Sequence, residues 1–299
     1  METRAVTPNL SFIRLKTPLT GVADFFCAYL FSGERKAIID LGPKSAVPGL
    51  LATLAGLGLS AEEIDYLILT HIHVDHGGGV GTALKEMSRA KVVAHSRARP
   101  HLIDPTRLWQ ASLQTLEELA LKYGDIEPVS EGRIIVARDR MKLDLGPGLE
   151  LEIYLTPGHA SHHLSLFERA SGVLIAGEAA GVCVNGGLRP GAPPPFDFKQ
   201  ALASIERLIE LKPRVICYGH FGGYDNAVAR LEHFREQLLF WHETINSLAR
   251  AGRKPEEILA VLRNRDRNLD YLDRLNRDEY RQEHLFLINT IEGLLESAG

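Results

Sequence analysis

The sequence predicts an α/β fold, and three observations carry that reading. Short apolar runs of strand length alternate with helical spacing through the first half, giving the order β, β, α, β, α, β. A second stretch, from about residue 133 to 219, is rich in strand-like runs broken by glycine and proline. From Asn226 onward the apolar residues recur at helical spacing with no strand between them. The 299 residues suffice for one large domain or a core domain with a smaller addition, and we place a boundary near residue 226.

Taken in order, "CAYLFSG" and "KAIIDLG" read as paired strands joined through Ser32-Gly33-Glu34. "VPGLLATLAGLGL" has helical spacing with glycines near its end. Ser60 and Glu63 form an S-x-x-E capping signal before the apolar strand "IDYLILT". "VGTALKEMSRA" predicts a helix and "KVVAH" a strand, and residues 102 to 124 predict a helical insertion with Pro105 near its start. "RIIVAR", "MKLDL", "LELEIYLT", "HLSLFE" and "GVLIAG" resume the strands. The loop "GVCVNGGLRPGAPPPFD" is too rich in Gly, Pro and Asn for regular structure over most of its length. A helix at about 198 to 211 and the strand "RVICYG" complete this half. Three helical stretches then run to the carboxyl end, and their apolar stripes are expected to pack on the core. Roofing a cleft or forming a homodimer interface are the further uses such stripes offer.

Composition excludes several classes. A net charge of -4 leaves no basic footprint for nucleic acid and no polybasic membrane patch. The amino terminus lacks the uninterrupted apolar core of a signal peptide, and no run reaches the length of a membrane span. Cys27, Cys183 and Cys217 are far apart, odd in number and set among apolar neighbours, so they read as reduced core residues. A cytoplasmic setting is expected.

Chemistry concentrates in "THIHVDHGGG", residues 70 to 79, where His71, His73, Asp75 and His76 fall within six positions. Three more candidate donors lie at the ends of strand-like runs: His159 in "LTPGHASHH", Glu178 in "LIAGEAAG" and His220 in "ICYGHFGG". Any one such histidine reads as a solvated or core residue. Four donors in six positions, with three others at strand ends, read as a metal site, because a rigid sheet can point loop residues into one cleft. His71 and His73 can converge on one ion as the chain turns, while Asp75 and His76 point elsewhere and suit a second. Imidazole and carboxylate donors without thiolate suit zinc, iron or manganese, with zinc favoured. The glycines after His76 are expected to let the backbone pass close to the metals.

H-x-H-x-D-H followed by glycine resembles the signature of the metallo-β-lactamase fold superfamily, in its glyoxalase II-like branch. The resemblance spans residues 10 to about 226, including "AIIDLG", "TPGHASHH" and "GHFGG". It implies an αβ/βα sandwich with the site at one edge, a metal-binding catalytic domain over residues 1–226 and a helical region over 227–299. By position, His71, His73 and His159 are implied ligands of a first divalent ion, and Asp75, His76 and His220 of a second. Asp40 resembles a buried carboxylate that orients a ligand. Where the family has an aspartate bridging both ions this chain has Glu178, and between residues 153 and 196 the acidic residues are Glu168 and Glu178, so no small shift restores an aspartate.

Hydrolysis of a small-molecule ester-type bond by a metal-held hydroxide is the leading expectation, with a thioester favoured and Asp75 as ligand and orienting catalytic group. No G-x-S-x-G elbow and no activated cysteine motif competes with it. The alternatives are lactone or phosphodiester cleavage, an iron-dependent sulfur dioxygenase-like oxidoreductase, and a non-catalytic metal-binding regulatory protein. His162 and His163 are expected as packing residues, one of them open to a substrate contact. His95, His101, Arg97, Arg99, Arg107 and Arg189 are expected to be ordinary polar residues, the arginines able to meet an anionic substrate.

Overall fold

The computed structural model describes residues 3–15, 17, 25–184 and 186–297. Part of the amino-terminal stretch read above and Asn185 of the glycine-rich loop lie outside the described residues. The first sheet has seven strands in chain order: β1 (Thr3–Thr7), β2 (Leu10–Arg14), β3 (Cys27–Ser32), β4 (Lys36–Ile39), β5 (Ile64–Ile68), β6 (Lys91–His95) and β7 (Ile134–Ala137). Its first four strands are antiparallel, and β4 to β7 are parallel. Helices α1 (Val47–Gly56), α2 (Val74–Gly77), α3 (Val80–Glu86), α4 (Arg99–Ile103), α5 (Thr106–Leu116) and α6 (Glu118–Tyr123) occupy its connections.

Strands β8 (Lys142–Asp144), β9 (Glu150–Leu155), β10 (Leu164–Glu168) and β11 (Val173–Gly177) begin the second sheet. A separate ribbon follows, β12 (Val182–Val184) paired with β13 (Gly187–Arg189), then helix α7 (Phe198–Glu210). Strands β14 (Val215–Tyr218) and β15 (Gly223–Asp225) complete a six-stranded order β15-β14-β11-β10-β9-β8. Helices α8 (Ala227–Arg250), α9 (Pro255–Arg265) and α10 (Arg277–Glu296) form the remainder.

Strand periodicity builds the layers. Successive side chains point to opposite faces, so Tyr29, Phe31, Ile39 and Ile68 enter the core between the sheets, where they meet Leu151, Ile153, Leu166 and Ile175. Their neighbours Leu30, Ile38 and Leu67 point outward onto Leu50, Leu54 and Ala83 of α1 and α3. On the far side Phe167, Leu174 and Ile216 belong to the same outer cluster as Ile205 and Leu208 of α7 and Phe234 of α8. The fold is therefore the expected αβ/βα sandwich. Three local expectations need correction. Strands β1 and β2 were not foreseen. The helical insertion is three helices, broken at Pro105 and again at Glu117, whose φ is +49°. The glycine-rich loop contains the β12–β13 ribbon, because Val182, Cys183, Val184 and Leu188 find an apolar surface to bury against.

The carboxyl-terminal helices share the outer core through Leu238, Trp241, Ile258, Leu287 and Ile291. Among the described residues no helix is long and apolar enough to cross a membrane. Buried Asp266 ties these helices together: one carboxylate oxygen accepts from Gln237 Nε2 and Trp241 Nε1, both at 2.7 Å, and the other accepts from the Asn268 backbone at 3.0 Å. Asp266→Ala leaves two buried donors without an acceptor, so the unfolding free energy should fall by about 2–4 kcal/mol. Urea denaturation followed by tryptophan fluorescence measures it; a loss below about 0.5 kcal/mol would mean that water replaces the carboxylate without cost.

Candidate metal centre

Four strand ends of the two sheets converge on one polar cluster. His71, His73, Asp75 and His76 follow β5, His159 follows β9, Glu178 follows β11 and His220 follows β14. Donor atoms of His71, His73, His159 and Glu178 lie within 4.8 Å of one another, as do those of Asp75, His76 and His220. All seven predicted donors are thus brought together, in two groups.

The imidazole orientations are set by partners on the outward ring nitrogens. His159 Nδ1 donates to the Gly191 carbonyl at 2.9 Å, His220 Nδ1 to the Phe25 carbonyl at 3.0 Å, and His76 Nδ1 sits 2.9 Å from Asp40 Oδ2. Asp40 also accepts from the Thr70 hydroxyl at 2.7 Å and the Thr70 backbone at 2.8 Å. The Thr70 hydroxyl, having donated to Asp40, accepts from His71 Nδ1 at 3.1 Å. Asp40 reaches this position with φ +54°, a left-handed conformation that aspartate tolerates better than most residues. In each of these rings Nε2 is the atom left for the cluster. Nε2 of His71, His76 and His220 is buried and has no hydrogen-bond partner among the described residues. Buried ring nitrogens without a partner are costly, and a divalent cation would meet them.

Glu178 stands between the two groups. Its Oε2 is 2.7 Å from His159 Nε2 and 3.5 Å from His71 Nε2, while Oε1 is 3.5 Å from His220 Nε2. Burial would raise its carboxyl, but the imidazoles of His159 and His220 outweigh that and hold it well below the usual carboxylate range. Burial first, then neighbouring imidazoles, push His71 and His73 well below the ordinary histidine value, so both are neutral donors. Burial acts downward on His76 too, yet Asp75, Asp40 and Glu178 overcome it and push it up to about 10. A cation at that position would have to displace this proton. Asp75 Oδ2 lies 3.6 Å from His76 Nε2 and 3.7 Å from His220 Nε2, on the side that opens to the cavity.

Residues 26–220 match the sequence model of the metallo-beta-lactamase superfamily. The chain belongs to that superfamily. A metallo-beta-lactamase fold-containing protein of Sulfurisphaera tokodaii is 31% identical over 215 residues, 70% of this chain and 77% of its own length. A hydroxyacylglutathione hydrolase of Xylella fastidiosa is 29% identical over 216 residues, 72% of this chain and 67% of its own length. The crystal structure of an archaeal metallo-beta-lactamase superfamily protein from Sulfolobus tokodaii, 26% identical, superposes with a TM-score of 0.74 over 97% of this chain and all of that one.

Other expectations about this superfamily site change in detail. The three glycines after His76 have separate tasks: a Cβ at Gly77 would press on the backbone of Ile72 and His71 at 3.3 and 3.4 Å, one at Gly78 on the Val74 carbonyl, and one at Gly79 on Val47 Cγ2 at 2.6 Å. Room at the centre comes from Gly219, where a Cβ would lie 2.9 Å from His76 Cε1 and 3.4 Å from Glu178 Cγ. Gly177 precedes Glu178 at φ +57°, and a Cβ there would strike His163 Nε2 at 2.6 Å. His163 is a packing residue with a defined task. Its Nε2 accepts from the Glu178 backbone at 3.2 Å, so its Nδ1–H donates to Thr156 Oγ1 at 2.8 Å. Thr156 passes the direction on to Ser165 at 2.9 Å, and Ser165 donates to the Ala176 carbonyl at 3.1 Å. That chain fixes the end of β11, and with it Glu178.

Among the arginines, Arg189 is buried and paired with Glu283 of α10, Arg99 pairs with Glu131, and Arg97 and Arg107 are exposed. Cys27, Cys183 and Cys217 are free and buried, as expected. His163→Ala should strand the Glu178 N–H and open a hole beside it, lowering the unfolding free energy by about 2–4 kcal/mol. Denaturant titration of the metal-free protein provides the reading, and a shift under about 0.5 kcal/mol would show that the Thr156–His163 chain holds nothing in place.

Proposed function

We propose that this protein is a metal-dependent hydrolase with a binuclear centre that cleaves a small-molecule ester-type bond, a thioester by preference. The carrying observation is the position of Glu178, with one carboxylate oxygen beside His159 and His71 and the other beside His220. His71, His73 and His159 would hold one cation, Asp75, His76 and His220 a second, and Glu178 would bridge them. Five imidazoles and two carboxylates with no thiolate suit zinc first, with iron or manganese also served by the same donors. When bound, such a pair supplies Lewis acidity that polarises the scissile carbonyl and makes water a nucleophile at neutral pH.

The chain's own groups do the positioning. Asp75, on the cavity side, orients the attacking water and takes up its proton, while its backbone is held at the start of α2. Asp40 keeps His76 facing inward. Water oxygen bonds to the acyl carbon as the carbon–sulfur or carbon–oxygen bond breaks, and the proton released returns to the departing thiolate or alkoxide. The cavity above the centre has a volume of about 410 Å³, the size of a small-molecule site. Likeness to a hydroxyacylglutathione hydrolase supports the thioester preference.

Metal analysis after purification, followed by a panel of thioesters, lactones and phosphodiesters with zinc, manganese or iron, tests the reading. Glu178→Gln should reduce the content from about two ions per chain to about one, because the three histidines of the first group remain, and turnover should fall by at least about a hundredfold. Glu178→Asp, shorter by one methylene, should keep both ions. Two ions retained in Glu178→Gln, with altered kinetics only, would remove the bridging role.

A further inference from the structure

The cavity above the cluster has walls for which metal chemistry has no use. Helix α5 turns Leu108, Ala111, Ser112, Thr115 and Leu116 toward it, positions i, i+3, i+4, i+7 and i+8 of one helical face. Ala111 and Thr115 are exposed there, so this face is presented to the cavity and is not packed away. Helix α10 contributes Phe286, Asn289 and Thr290, again one face. Between the helices and the centre, Phe25 and Tyr123 add aromatic surface.

Polar groups on these walls are largely consumed by the protein. Ser112 Oγ donates back to the Leu108 carbonyl at 2.9 Å, Thr290 Oγ1 donates to the Pro190 carbonyl at 3.4 Å, and the Arg189 guanidinium is neutralised by Glu283. What remains toward a ligand is mainly hydrocarbon, with Arg107 and His101 as basic groups of the lining. The exceptions are His162, whose Nδ1 is buried without a hydrogen-bond partner among the described residues, and Tyr123. The Tyr123 ring is 1% exposed and fixed edge-on against Phe26 at 5.3 Å, it lines the cavity beside Asp75, and its hydroxyl is buried without a hydrogen-bond partner among the described residues. A buried phenol donor needs an acceptor, and one at the Asp75 end of an apolar cavity is placed for a carbonyl oxygen.

Resting on the hydrolase reading, we propose that the cavity takes an ester or thioester whose acyl arm is an uncharged, medium-length hydrocarbon chain, lodged against α5 and α10 with its carbonyl oxygen accepting from Tyr123. Each methylene buried along the two helices raises kcat/KM about threefold to fourfold until the slot is full. An arm ending in a carboxylate pays desolvation along the hydrocarbon of α5 and α10, which solvent-exposed Arg107 repays only in part, and is turned over less well.

The metal-loaded protein is assayed with acetyl, butanoyl, hexanoyl, octanoyl, decanoyl and succinyl thioesters of one thiol, and binding of acetate and octanoate is measured by calorimetry. The expected profile rises with length and then levels, with the succinyl ester about tenfold or more below the butanoyl ester. Ala111→Phe, on an exposed face where folding is not at stake, should lower the octanoyl-to-acetyl ratio of kcat/KM about tenfold and weaken octanoate binding. Tyr123→Phe should lower kcat/KM about tenfold to a hundredfold at every length and leave the slope with length intact. A flat profile, or a rising one that Ala111→Phe does not move, overturns the slot. Octanoate binding that Ala111→Phe weakens, in a protein cleaving none of the esters, upholds the slot and sinks the hydrolase reading. Cleavage indifferent to arm length does the reverse.

Discussion

One buried carboxylate among five imidazoles organises this molecule. Glu178 is accessible to almost no water, and an ion so placed is tolerable only when opposite charge or strong donors surround it. Its neighbours come from three strand ends in two sheets and it ends a fourth itself, so the demand on Glu178 is a demand on the relative placement of β5, β9, β11 and β14. The parallel pairing of β11 with β14 sets Glu178 and His220 side by side. The Leu164 backbone donates to the Thr70 carbonyl at 2.7 Å, joining the end of the first sheet to the start of β10. The sandwich can therefore be seen as a frame that keeps these ends in register.

The longer acid explains a local feature of that frame. Glutamate carries one methylene more than aspartate, and the space for it is made by two glycines. A side chain at Gly191 would come within 3.5 Å of Glu178 Oε1, and one at Gly219 within 3.4 Å of Glu178 Cγ. With the backbone of Glu178 held by His163, the side chain extends between these two positions, with Oε2 beside His159, His71 and, at 3.8 Å, His76, and Oε1 beside His220. A departure in residue type is absorbed here by geometry, and the two-sided contact survives.

Legibility in the sequence followed how local each signal is. The seven donors could be read because each closes a short apolar run, and strand ends are where loops deliver side chains to a common cleft. The task of His163 was not legible, since its partners Thr156, Ser165, Ala176 and Glu178 are spread over three strands and only the fold joins them. Nor was the meaning of "GGG" after His76: the residue that Gly79 must avoid, Val47, lies more than thirty positions away in a different helix. Strand β1 escaped because its residues are exposed or half-buried and show no apolar alternation, being held at the sheet edge by pairing with β2. The ribbon escaped because Gly, Pro and Asn outnumber the apolar residues in the loop that contains it, and only burial against the tail helices gives those few a reason to be extended.

The tail helices reach the candidate metal centre through a buried ion pair, and that arrangement has an energetic logic. Burying Arg189 with Glu283 returns little net stability, because desolvation of both charges offsets their attraction. What the pair does supply is position. Glu283 also accepts from the Tyr271 hydroxyl, so β13, the turn before α10 and α10 itself are locked to one another at a single register. One turn further along α10, Phe286 stacks on Phe25 with ring centres 5.7 Å apart, and Phe25 stacks on His220 at 3.7 Å while its carbonyl receives the His220 Nδ1 proton. Apolar residues at both 189 and 283 would bury more comfortably, yet α10 could then slide along the ribbon, and the stack from Phe286 to His220 would lose its fixed end. The ion pair thus converts a helix outside the sandwich into part of the support of a histidine of the candidate metal centre.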